Sequence, residues 1–143
     1  MLELYGQCTC SEIKFKFSTD VAVAYQCHCS ICRRSSGTAY STTIMAAEKD
    51  FIWLSGESFL SSYSKSNGYS INFCRHCGSP VPNKFRDYPL YSVPVGSLDD
   101  SVEVKVVTQI YMDSKAQWDK DNLAGQQFSE MPSLDEMLAL LHV

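Results

Sequence analysis

Residues 27–32 read CHCSIC, and no other stretch constrains the fold of this chain as strongly. Three thiols in six residues is far above chance for 143 residues. The set is also incomplete, because a zinc ion takes four ligands and this stretch offers three sulfurs. The fold must therefore bring a fourth ligand from elsewhere or leave one position open.

The compartment matters to how these thiols are read. Residues 1–6, MLELYG, have no basic segment followed by an apolar one, so no signal peptide is expected. No apolar run approaches the length of a membrane span. The seven cysteines are then expected in reducing cytoplasm, where clustered thiols are more often metal ligands or reactive groups than disulfides. An odd count cannot be used up by disulfides within one chain. The length fits a single domain spanning residues 1–143 with a sizeable core. A hydrophobic content of 45% and a charged content of 20% fit a soluble globular class.

Along the chain, period-two alternation over residues 12–17 predicts a half-buried strand. Residues 21–25 form a short β-prone run leading into CHCSIC. Residues 33–37 read as a polar turn. Residues 39–45, 51–54, 90–95 and 102–111 read as further strands, with Val102, Val104 and Val106 alternating against Glu103 and Lys105. Residues 59–63 and 69–73 pair across a Ser66-Asn67-Gly68 turn signal. Near the end, Ser133 and Glu136 make a capping-box pattern, and Leu134, Met137, Leu138 and Leu141 share one helical face. The fold class expected is mainly β, with antiparallel sheets of short strands pinned by zinc and a short C-terminal helix over residues 133–141.

The remaining cysteines fall in two pairs. Cys8 and Cys10 form a C-x-C, and Cys74 and Cys77 form a C-x-x-C followed by Gly78, a common zinc half-site. Together these four would make a closed all-thiolate site of the structural kind. Cys27, Cys29 and Cys32 would then form a second site with one position open, as catalytic zinc sites have. The competing pairing joins two of the central thiols to Cys8 and Cys10 and strands Cys74 and Cys77. A further alternative makes both sites purely structural, or leaves one set as free thiols. Histidine does not complete the central site readily. His28 lies between two ligands and should point away, His76 sits inside the other C-x-x-C, and His142 is near the end of the sequence. A surface or locally bonded role suits each of them better.

An open three-thiolate zinc carries net negative charge and is a weak Lewis acid toward water. A soft thiol suits it better, because coordination deprotonates the thiol and keeps the sulfur nucleophilic. The chemistry expected at Cys27, Cys29 and Cys32 is the making or breaking of a bond to a substrate sulfur.

The strings YGQCTC (5–10), CHCSICRRSSG (27–37) and NFCRHCGSP (72–80) resemble the glutathione-dependent formaldehyde-activating enzyme family, which also contains centromere protein V. GSLD (96–99) and DSKAQW (113–118) continue the resemblance. It implies two zinc ions per chain, a structural one on Cys8, Cys10, Cys74 and Cys77 and an exposed one on Cys27, Cys29 and Cys32. It also implies carbon–sulfur lyase chemistry, the reversible joining of formaldehyde and glutathione into S-hydroxymethylglutathione. Members often carry a histidine where this chain has Gln109. Glutathione carries two carboxylates, so local positive charge is needed in a chain of net charge −4. Arg33 and Arg34 directly follow the metal loop and are the first candidates for substrate binding, with Lys84, Arg86 and Lys115 behind them.

A different class of function competes with the enzyme: a non-catalytic zinc scaffold that binds a protein partner. A substrate-accessible fourth position favours the enzyme, and a protein ligand there favours the scaffold. Nucleic acid and membrane are not expected partners, since 12 basic residues stand against 16 acidic ones without a basic stripe. No Gly-rich phosphate loop is present. Oligomeric state is not legible.

Overall fold

The alternating Phe15 and Phe17 are fully buried between outward-facing lysines, and this pattern sets the first layer of the molecule. The computed structural model describes residues 1–99, 101–120 and 122–143. Among these, strands β1 (Leu2–Gln7), β2 (Lys14–Thr19) and β5 (Phe51–Ser55) form a three-stranded sheet in the order β1-β2-β5. A central six-stranded sheet contains β3 (Val23–Cys27), β4 (Ser41–Ala47), β9 (Asn83–Lys84), β10 (Leu90–Pro94), β11 (Lys105–Ile110) and β12 (Gln126–Gln127). Its order is β12-β11-β3-β4-β10-β9. The third sheet is β6 (Leu60–Ser64), β7 (Ser70–Cys74) and β8 (Pro80–Val81). The α-helices among the described residues are α1 (Ser30–Ser36) and α2 (Leu134–Leu141).

The central sheet is covered on both faces, which explains the apolar runs at the start of β3 and the end of β4. Even-numbered Ala22, Ala24, Ile44 and Ala46 pack with Phe15, Phe17 and Phe51 of the first sheet. Odd-numbered Val23, Cys27 and Met45 pack with Met137 and Leu141 of α2. Because successive side chains of a strand point to opposite faces, the parity of a residue number here decides which layer it joins. A third cluster, Cys8, Ile13, Cys74 and Val81, joins the first sheet to the third.

The mainly β class and the C-terminal helix are as expected. Ser133 caps α2 by accepting from the Glu136 backbone N–H at 3.2 Å. The expected pair of strands is β6 with β7, antiparallel with Tyr63 opposite Ile71. The sheets are predominantly antiparallel, but β11 runs parallel to both β3 and β12. Three details differ from expectation. Residues 33–37 are not a turn but the end of α1 and its cap, where Gly37 adopts φ +70°. The strand expected over 102–111 starts at Lys105, while Val102 and Val104 pack on the first cluster outside it. Strand β1 had no clear signal in the sequence.

Candidate metal centres

Cys8 and Cys10 occupy the turn between β1 and β2. The Cys8 backbone N–H donates to the Ile13 carbonyl at 3.1 Å, and Ser11 takes φ +66° to close the turn. Cys74 ends β7, and the Gly78 N–H donates back to the Cys74 carbonyl at 2.7 Å. Gly78 has φ +78°, a conformation that costs glycine nothing and most other residues a great deal. The two turns meet so that all four sulfurs lie within 4.8 Å of one another. Cys8 and Cys10 are 3.5 Å apart, and Cys10 and Cys74 3.8 Å. Four thiolates at about 2.3 Å from a tetrahedral zinc are about 3.8 Å apart, so this set fits zinc without rearrangement. Thr9 and Ser79 tie the two turns together, hydroxyl to hydroxyl at 2.8 Å. A hydrogen bond with Ser79 Oγ holds the Cys77 thiol down, to about 5.

Cys27, Cys29 and Cys32 form the second set, again within 4.8 Å. Cys27 is the last residue of β3, Cys29 is the N-cap of α1 and Cys32 lies in its first turn. The Cys29 sulfur accepts from the Cys32 backbone N–H at 3.3 Å. Contacts with Cys27 and Cys32 hold the Cys29 thiol down, to about 2. The reciprocal contacts with Cys29 and Cys32 push Cys27 up. Cys32 is drawn down by Cys27, but its contact with Cys29 and its burial outweigh this and leave it at about 11. Without metal, the set thus carries its first negative charge on Cys29 and resists the next two. Among the described residues, no histidine or carboxylate joins the three sulfurs as a ligand.

His28 does point away from the sulfurs, yet it is neither a surface nor a locally bonded residue. It is fully buried, with its Nε2 2.7 Å from Gln109 Oε1, 81 positions along the chain. His76 is exposed and tilts against Phe59, and His142 ends α2 in the left-handed conformation. Arg33 is half-buried and its Nε donates to the His28 carbonyl at 3.4 Å, directly behind the metal loop. Arg34 is exposed on the same turn. Lys84 is paired with Glu48, and Arg86 donates to the Asn67 carbonyl at 2.8 Å. Lys115 is half-buried beyond the end of β11.

Tyrosines near the central set were not singled out by the sequence reading. Tyr25 and Tyr111 pack in the same apolar cluster as Cys29 and Cys32. Burial, reinforced by the neighbouring cysteines, pushes the hydroxyls of Tyr25, Tyr69 and Tyr111 up, so all three stay protonated donors at neutral pH. Tyr111 adopts φ +56°, rare for a bulky residue, immediately after the Ile110 that pairs with Cys27. It follows the register partner of Cys27, a pairing of β3 with β11 that no local sequence pattern signals.

The family model for glutathione-dependent formaldehyde-activating enzyme matches residues 3–114. A crystal structure of a Rhodobacter sphaeroides protein is similar at 26% identity, with a TM-score of 0.59, covering 72% of this chain and 99% of that one. A search of the curated proteins gives no match. Among the described residues, no helix is long and apolar enough to cross a membrane.

Proposed function

The chain belongs to the glutathione-dependent formaldehyde-activating enzyme family, and we propose that it is a zinc-dependent carbon–sulfur lyase acting on glutathione or a closely related thiol. The observation that carries this reading is the contrast between the two cysteine sets. Four converging sulfurs could fill one coordination sphere, and three sulfurs with no fourth protein ligand among the described residues would leave the other incomplete. Zinc at Cys8, Cys10, Cys74 and Cys77 would be structural, and zinc at Cys27, Cys29 and Cys32 would serve the reaction. When bound there, the ion would supply a soft position that favours the thiolate form of a substrate sulfur.

The reaction joins the glutathione sulfur to the formaldehyde carbon. The new carbon–sulfur bond forms as the carbonyl π bond breaks, and the thiol proton is balanced by protonation of the new hydroxyl oxygen. The chain's own residues would bind and orient. Arg33 and Arg34, in the last turn of α1, would receive a substrate carboxylate. The protonated hydroxyls of Tyr69 and Tyr111 would donate to oxygen on the substrate carbon, and the apolar wall formed with Phe85 and Met137 would limit water. A reducing, cytoplasmic setting would keep the three thiols available.

The test is exchange between formaldehyde with glutathione and their adduct, followed by NMR at equilibrium. Zinc-loaded protein should speed the exchange above the spontaneous rate, and Cys29→Ser should remove that gain. A zinc-loaded protein that leaves the rate unchanged would favour the scaffold reading, in which the open position takes a side chain of a protein partner.

A further inference from the structure

A row of polar side chains crosses the central sheet on the face opposite Cys27. Thr42, Gln26 and Gln109 are register neighbours on β4, β3 and β11. Gln26 Nε2 donates to Thr42 Oγ1 at 3.1 Å, and Gln109 Nε2 donates to Gln26 Oε1 at 2.7 Å and to the Ala124 carbonyl at 2.9 Å. The last contact fixes the orientation of the Gln109 amide, because a backbone carbonyl can only accept. Ala124 is in turn held by Gly125, whose φ of +86° brings it so close to β11 that a Cβ would sit 2.3 Å from the Val107 carbonyl carbon.

With both amide hydrogens committed, Gln109 Oε1 can only accept, and the partner it meets is His28 Nε2 at 2.7 Å. The proton must therefore be on Nε2. His28 Nδ1 has no partner among the described residues and is buried. Both His28 and Gln109 are fully buried, so neither contact is shared with bulk water. His28 lies between Cys27 and Cys29, and its backbone N–H is also fixed, donating to the Ile110 carbonyl at 3.0 Å. With its ring and its backbone N–H both fixed, residue 28 pins the link between Cys27 at the end of β3 and Cys29 at the N-cap of α1.

We propose that Gln109 is a positioning residue for the three-thiol centre: by accepting from His28 Nε2–H it locks the ring and so holds Cys27 and Cys29 in converging positions. This rests on reading the three sulfurs as a metal centre. Gln109 touches neither metal nor substrate in this account; it acts through the ring it orients. Groups hydrogen-bonded directly to a metal's ligands typically change its affinity by about 10–100-fold when lost; Gln109 stands one residue further out, so the lower end of that range is expected.

The test compares the full chain with Gln109→Met, which keeps the length and removes both donor and acceptor. Nitrogen NMR of the His28 ring should find the wild type almost wholly in the Nε2–H form, and the variant shifted toward the mixture of a free imidazole. Cobalt titration should find the central site weakened about tenfold or more in Gln109→Met, with the four-thiol site unchanged. Val93→Ala, a core truncation in the other cluster, is the control for general loss of stability and should leave the central affinity unchanged. An Nδ1–H ring in the wild type overturns the proposal. So does an unchanged central affinity in Gln109→Met, or an equal loss in Val93→Ala. Failure of the wild-type central site to bind cobalt at all overturns the functional reading as well, which separates the two.

Discussion

Replacing Cys77 by serine should unfold a different part of the molecule, and to a different extent, from replacing Cys29. The cluster that holds the third sheet to the first has four fully buried members, and two of them, Cys8 and Cys74, are themselves in the four-sulfur set. The others, Ile13 and Val81, are worth about 1.5–3 kcal/mol each as buried apolar side chains. A structural zinc is worth about 10–16 kcal/mol in small domains, more than the apolar part of this contact. Cys77→Ser removes one of four thiolates, so a loss of at least about 3 kcal/mol is expected, concentrated in β6, β7 and β8. Cys29→Ser differs for a local reason. Cys29 is the N-cap of α1 and accepts from the Cys32 N–H, and serine is among the best residues for that role, so folding should change by about 1 kcal/mol or less. Hydrogen exchange read by mass spectrometry, together with thermal melts in zinc-replete buffer, distinguishes the two. The amides of Asn72 and Phe73 should lose protection first in Cys77→Ser, and those of β3 and β4 last. Greater damage from Cys29→Ser, or a fully protected third sheet after zinc is stripped by a chelator, would refute the pairing of cysteines.

Two further outcomes follow from the central site. Metal binding there at neutral pH should release about two protons rather than three, since Cys29 is already a thiolate while Cys27 and Cys32 are held protonated. Affinity should therefore rise with pH through this range, and calorimetry in buffers of different ionisation enthalpy counts the protons; a count of zero or three contradicts the charge distribution. Arg33→Ala should weaken glutathione binding by about 1–3 kcal/mol with little effect on zinc content, read by competition titration; an unchanged affinity removes Arg33 from the substrate site.

What the sequence revealed depended on how far away each residue's partner lies. The alternation of Phe15 and Phe17 with lysines is legible because one face of β2 is buried and the other wet. The β6–β7 pair is legible because its turn carries Asn67 and Gly68. Strand β1 hides because Leu2 is exposed while Gly6 faces inward, which blurs the period. Helix α1 hides because it is seven residues long, buries none of them and is capped by a cysteine, so its polar residues resemble a turn. The two cysteine sets were legible as spacing, since three of their turns are local. The partner of His28 was not, because Gln109 meets it only through the parallel pairing of β3 with β11. No local pattern announces a contact across 81 residues of chain.

The three-thiol site is proposed to have an open position that takes a small thiol through sulfur. Cobalt-substituted protein titrated with glutathione and, separately, with S-methylglutathione tests it most directly. Glutathione should shift the sulfur-to-metal charge-transfer band and release a proton, and the blocked thiol should do so far less. Equal responses to the two compounds, or no response to either, would contradict the claim.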